Sequence, residues 1–206
     1  MSEIALVPAE FTLVKFDAAE VRDLIAAALF DTGFPADTDV TVEVDEVLPH
    51  PLTASAVEIV DGAAHLWFTG GCFESPKRQT GLSVDNTKVE LATALFRAQD
   101  RLCGGFESAP ADDALTDRQR TVWDTYAEAR AAALGYPVRV PRRRYVFRLY
   151  GGFNDVADAE FDRLWAGGTL DWSELEATAG RLSEADTRPE AKRSLRRESL
   201  RQTAPS

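Results

Sequence analysis

Four side chains could share acid–base chemistry: Glu43 and Asp45 in VTVEVDEV, Glu58 in SAVEIV and His65 in AAHLWFT. An imidazole titrates near neutrality, so beside carboxylates it can serve as a general base or join them around a divalent cation. Either role needs the four groups on one surface. The stretch Ser55 to Thr69 provides it, because Asp61-Gly62 can take the positive φ angles of a two-residue type I′ turn between two strand-forming runs. That turn fixes a hairpin register with Val60 opposite Ala63, Ile59 opposite Ala64, Glu58 opposite His65, Val57 opposite Leu66 and Ala56 opposite Trp67. Alternation then places Val57, Ile59, Ala64, Leu66 and Phe68 on an apolar face, with Glu58, His65 and Trp67 on the other. The run Val40 to Val47 alternates in the same way, so Val40, Val42 and Val44 point inward while Thr41, Glu43 and Asp45 line the open face. Glu58 facing His65 is also an ordinary cross-strand pair, and alternating acids are the ordinary wet side of a strand.

A second group is basic and aromatic. Arg139, Arg142, Arg143, Arg144 and Arg148 are interleaved with Tyr145 and Tyr150, and RRRYVFRLY from Arg142 to Tyr150 alternates as a strand would. Arg142, Arg144, Arg148 and Tyr150 would share one face and could cradle a phosphate or a single-stranded nucleic acid. Overall charge opposes that use. The chain carries −11; residues 188–206 hold six basic against two acidic groups, a balance of +4, which leaves −15 for the body (−11 − 4). An acidic body repels phosphates, so nucleic acid is a disfavoured partner and internal carboxylates such as Glu43 or Asp45 are the natural partners of these arginines. Trp67, Arg144, Arg148 and Tyr150 are therefore read as a ligand or partner face.

The elements that would position these residues can be followed along the chain. Phe11 to Phe16 (FTLVKF) has strand composition. Asp17 with Glu20 opens a helix ending at Gly33, and Thr87 with Glu90 opens a second ending at Gly104-Gly105, whose Leu91, Ala92, Leu95, Phe96, Ala98 and Leu102 match the apolar hairpin face. Thr116 with Gln119 caps a third helix that stops at Gly135, and two shorter helices follow over about 156–166 and 172–182, the last capped by Asp171 and Glu174. The expected fold is α+β: a mostly antiparallel sheet of about four strands, including the 55–69 hairpin, with helices on one face and a helical C-terminal segment. Residues 1–187 form one expected domain, with a possible subdivision at the 106–115 connector. Residues 188–206 are a basic tail expected to be disordered.

Several chemistries lack their signatures. Gly70-Gly71 and Gly151-Gly152 fit neither a phosphate loop nor a dinucleotide fingerprint, and no G-x-S-x-G elbow occurs. Cys72 and Cys103 form no CxxC pair and no His/Cys cluster at ligand spacing, so neither a metal nor a cofactor is expected. The longest apolar run, Leu24 to Phe30, is too short to cross a bilayer, and MSEIALVPAEF lacks the basic start of a signal peptide; the expected location is the cytoplasm, with no membrane partner. The order from Asp17 to Cys103, helix, strand, hairpin and helix, is similar to that of small zincin-type metallopeptidases. Those carry H-E-x-x-H on the helix after the sheet, where this chain has VELATALFRAQDRL without a histidine. The resemblance thus implies a zincin-like fold lacking the hydrolytic metal site. The leading functional expectation is a non-catalytic interaction or regulatory module that presents the open sheet face to a protein partner, with a homodimer through the sheet edge or face as one form. The alternative is a hydrolase or lyase acting on a small-molecule ligand through Glu43, Asp45, Glu58 and His65.

Overall fold

The computed structural model describes residues 4–75 and 77–188. In chain order it contains β1 (Ile4–Val7), α1 (Ala18–Thr32), β2 (Val40–Asp45), β3 (Ser55–Val60), β4 (Ala63–Thr69), the single-turn α2 (Gly70–Phe73), β5 (Glu74–Ser75), β6 (Arg78–Leu82) and α3 (Val84–Leu102). A 3-10 turn (Asp112–Ala114) then leads to α4 (Asp117–Ala133), α5 (Val140–Gly151), α6 (Asp155–Trp165) and α7 (Trp172–Ala185).

Four strands form the main sheet in the order β1-β2-β4-β3. The hairpin has the expected register throughout, Glu58 against His65 and Ala56 against Trp67, with Asp61 and Gly62 both at positive φ in its turn. The expected mostly antiparallel sheet is overturned. β2 runs parallel to both β1 and β4, and β3–β4 is the sheet's one antiparallel pair. The physical reason is connectivity: α1 crosses over between β1 and β2, and the chain after β2 passes to the edge position of β3 so that β4 returns between them, which makes both neighbours of β2 parallel to it. Alternation in Val40–Asp45 reports which side chains point inward and carries no information on neighbour direction. The first strand is also Ile4–Val7, whereas FTLVKF is irregular and touches β6 through a bridge from Lys15 to Gly81.

Helix signals fared better where a polar cap marks the start. Asp17 accepts from the backbone N–H groups of Ala19 and Glu20, and Gly33 ends α1 in the left-handed conformation at φ 63°. Thr116/Gln119 and Asp171/Glu174 both close as reciprocal capping boxes. α3 begins earlier than expected: Ser83 caps it by accepting from Asn86 N–H, while Thr87 is buried inside the helix. The expected strand Arg142–Tyr150 is the larger error. It lies within α5, where Pro141 sits in the first turn, the position at which a missing N–H costs nothing.

Two cores result. The apolar sheet face (Val42, Val44, Leu66, Phe68 and Val57) packs on Val21, Ile25 and Ala28 of α1 and on Leu91, Leu95 and Ala98 of α3. Trp123, Phe147, Phe161, Leu164, Trp172 and Leu182 form the core of the helical half. Between them α3 and α4 meet through Ala92 and Phe96 against Ala127 and Ala131, so α3 serves both halves. Beyond Arg188 the basic tail lies outside the described residues.

Candidate functional site

The register assembles the expected face row by row. Ala5, Thr41, His65 and Glu58 lie side by side across the four strands, and Val7, Glu43, Trp67 and Ala56 form the adjacent row. Glu43, Glu58 and His65 are exposed, whereas Thr41 and Trp67 are half-buried. The core helices α1 and α3 cover the opposite face, so an indole stands at the centre of a polar surface, with Val7 (46% exposed) in its row and Val60 (40%) at the hairpin end. Asp45 leaves the group: its Oδ1 accepts from Val47 N–H at 2.8 Å and caps the turn after β2. His65 thus has Glu58 across the hairpin and Glu43 on the next row. This is a shared surface with its charged groups exposed. A hollow of about 510 Å³ lies instead at the start of α1, lined by Phe11, Phe16, Asp17 and Arg22, and none of the four predicted catalytic residues reaches it. Among the described residues no three His, Cys, Asp or Glu side chains are placed to hold a metal ion, and α3 carries no histidine.

The arginine group is elsewhere and already engaged. Arg144 and Arg148 are one helical turn apart on α5 and face Asp158 and Asp162, one turn apart on α6. Arg148 Nε donates to Asp158 Oδ1 at 2.8 Å, and the Arg144 guanidinium lies 4.3 Å from the Phe161 ring centroid. The Arg148 contact holds the Asp158 carboxyl below its ordinary range. Glu43 and Asp45, the acids expected to pair with these arginines, take no part. Tyr150 is half-buried at the end of the same helix, so the structure does not join Trp67 with Arg144, Arg148 and Tyr150 in one face.

The densest polar cluster was not anticipated. Asp112, 7% exposed, accepts from Arg97 Nη2 at 2.6 Å, Arg101 Nη2 at 2.6 Å, Arg120 Nη1 at 3.4 Å and the backbone N–H of Val57 at 2.9 Å. Burial opposes its charge, yet Arg97, Arg120 and Arg101 together hold the carboxyl below its ordinary value. Arg97 is itself 1% exposed and also reaches Asp124 of α4 at 3.2 Å. The cluster ties the 106–115 connector to the edge of β3, where Arg120 also donates to Ser55 O at 3.2 Å. Nearer the start of α3, Glu90 faces Arg143 and Arg142 of α5 and Asp124 of α4; burial raises its carboxyl to about 7. Burial, with Glu90 nearby, also pushes the Cys72 thiol far up, so it remains an unreactive thiol. The signal for this seam was present in LFRAQDRL, where the charged Arg97 and Asp100 lie within a buried run, but hydropathy cannot name the partner. Comparison with known proteins adds no relative: no family model, no curated protein and no solved structure matches the chain.

Proposed function

We propose that this protein is a non-catalytic interaction module whose bare sheet face receives a protein partner. The observation that supports this is the arrangement around Trp67: a half-buried indole between Glu43 and Ala56, with exposed Glu58, His65 and Val7 at its margin. An aromatic anchor ringed by charge is the composition of a binding hot spot. With two exposed carboxylates here and a chain charge of −11, the partner is a protein that offers an apolar tip flanked by lysine or arginine. No helix among the described residues is long and apolar enough to cross a membrane. Two free cysteines, one exposed, accord with a cytoplasmic home. Catalysis through Glu43, Glu58 and His65 receives less support, because these side chains stand on an open surface where water competes for every contact.

The test is photo-crosslinking from a reactive residue placed at 65 or 67, with position 177 on α7 as the control. One protein captured from both sheet positions and absent from the control is then purified and titrated. Trp67→Ala should weaken its binding by at least about 10-fold, the cost of losing a hot-spot aromatic, while Glu58→Gln and Trp67→Ala both keep the wild-type melting temperature. Equal adducts at position 177, or unchanged affinity in Trp67→Ala, would sink the proposal.

A further inference from the structure

The hollow of about 510 Å³ at the start of α1 belongs neither to the sheet face nor to the arginine groups. Its size lies in the range of small-molecule sites, about 300–1,000 Å³. Phe11 and Phe16 supply aromatic walls, their rings meeting edge to face at 5.3 Å, while Ala9, Ala18 and Ala19 line it with single methyl groups and so leave the space open. Arg22, Glu10 and Asp17 stand exposed and give both signs of charge to its rim. Arg22 lies one helical turn beyond Ala18, which puts the two on the same side of α1.

The loop that walls the hollow, between β1 and α1, is fastened along its length. Glu46 Oε2 accepts from three successive backbone N–H groups, Thr12 at 2.8 Å, Leu13 at 2.6 Å and Val14 at 3.2 Å. Lys15 N–H donates to Thr80 O at 2.8 Å, and Arg22 Nη2 donates to Ala9 O at 2.8 Å. Phe16 is buried and continues into the sheet core through Phe73, their ring centroids 6.4 Å apart. A wall held in this way needs little further ordering when a ligand enters.

The charges select the ligand. Arg22 gives one N–H of its guanidinium fork to Ala9 O, which leaves others for a carboxylate. Asp17 uses Oδ1 to cap α1, accepting from Ala19 and Glu20 N–H, so its second oxygen and the Glu10 carboxylate are acceptors for an ammonium. The Phe11–Phe16 pair suits an apolar or aromatic side chain. We propose that the hollow binds a free α-amino acid with such a side chain. Its carboxylate pairs with Arg22, its ammonium with Glu10 and Asp17, and its side chain lies on the two rings. A carboxylate alone meets two acids, and an amine alone leaves Arg22 unmatched; the zwitterion complements both.

The experiment titrates the full chain with L-phenylalanine and follows its backbone amide NMR signals. Those of Ala9, Phe11, Ala18 and Ala19 should shift saturably, while those of His65 and Trp67 on the sheet face stay in place. Phenethylamine, which lacks the carboxylate, and hydrocinnamate, which lacks the ammonium, should each bind about 3–5-fold more weakly, the effect of an exposed charge pair. Arg22→Gln should remove the advantage of L-phenylalanine over phenethylamine. Ala19→Leu fills the hollow from an exposed helix position and should abolish the shifts at an unchanged melting temperature. No saturable shift up to about 10 mM ligand would overturn the proposal, and so would shifts that survive Ala19→Leu. Equal affinity for the three probes would overturn the amino-acid assignment.

Discussion

Glu90 is a residue whose chemistry departs from its sequence context. Nothing in KVELAT distinguishes it from a solvated helix acid, yet folding sets it against Arg143, Arg142 and Asp124 and burial lifts its carboxyl to about 7. The folded chain therefore holds a proton that the unfolded chain releases near 4.5. Its stabilising effect is complete below about pH 4.5, declines as pH rises, and is lost once pH passes about 7. The interval from 4.5 to about 7 corresponds to at most about 3 kcal/mol. Glu90→Gln fixes the neutral form, so its denaturant stability should be flatter than wild type between about pH 5 and 8 and higher than wild type at the upper end. Parallel pH profiles for the two proteins would place the titration elsewhere. His65, by contrast, was legible as a neighbour of Glu58 from turn chemistry alone, and the register confirms that adjacency.

At the scale of elements, local rules succeeded where a capping side chain or a tight turn decides the outcome, and failed where neighbours decide it. Asp61-Gly62 and the capping residues Asp17, Thr116 and Asp171 act within a few residues of themselves. RRRYVFRLY alternates, but as part of α5 it buries Phe147 against Phe161 in the helical core and leaves Tyr145 exposed, a choice made by packing on α6. Parallel pairing of β2 was equally illegible, because it depends on a strand as short as Ile4–Val7 on one side and on the placement of β4 between β2 and β3 on the other. Gly70-Gly71 directly follows the end of β4 at Thr69 and opens α2. A Cβ on Gly71 would sit 2.2 Å from Leu52 O and 2.8 Å from His50 N, so glycine is required by the loop that crosses it. That loop is further held by Glu74 Oε2 accepting from His50 N–H at 3.0 Å and by Thr69 Oγ1 donating to Leu52 O at 3.0 Å. Gly71→Ala should cost about 1–3 kcal/mol by overpacking and should speed amide exchange over Leu52 and Ala54 selectively. Unchanged exchange there with unchanged stability would show that the loop yields freely.

Across the whole molecule the two cores are joined by α3, and Asp112 is a further joint between them. Asp112 fastens the connector to β3, to Arg97 and Arg101 of α3, and to Arg120 of α4, so the region that looked like a boundary in the sequence acts as the joint. Asp112→Asn keeps the shape and removes the charge, leaving the 1%-exposed Arg97 with only Asp124 as an ion-pair partner. Breaking a buried charge network in this way costs about 3–5 kcal/mol. Because α3 belongs to both halves, the loss should appear together in Trp123 fluorescence, which reports the helical core, and in amide exchange of Val42 and Leu66, which reports the sheet. The acid limb supplies a second sign. A carboxyl held below its ordinary value stabilises the fold above the usual aspartate range, and that stabilisation is lost as pH falls through its lowered folded value. The wild-type chain should therefore lose stability more steeply than Asp112→Asn as pH drops below about 4. Separate transitions for the tryptophan and sheet probes in the wild-type chain would mean that the 106–115 connector links two independent units, and the single-joint account would fail.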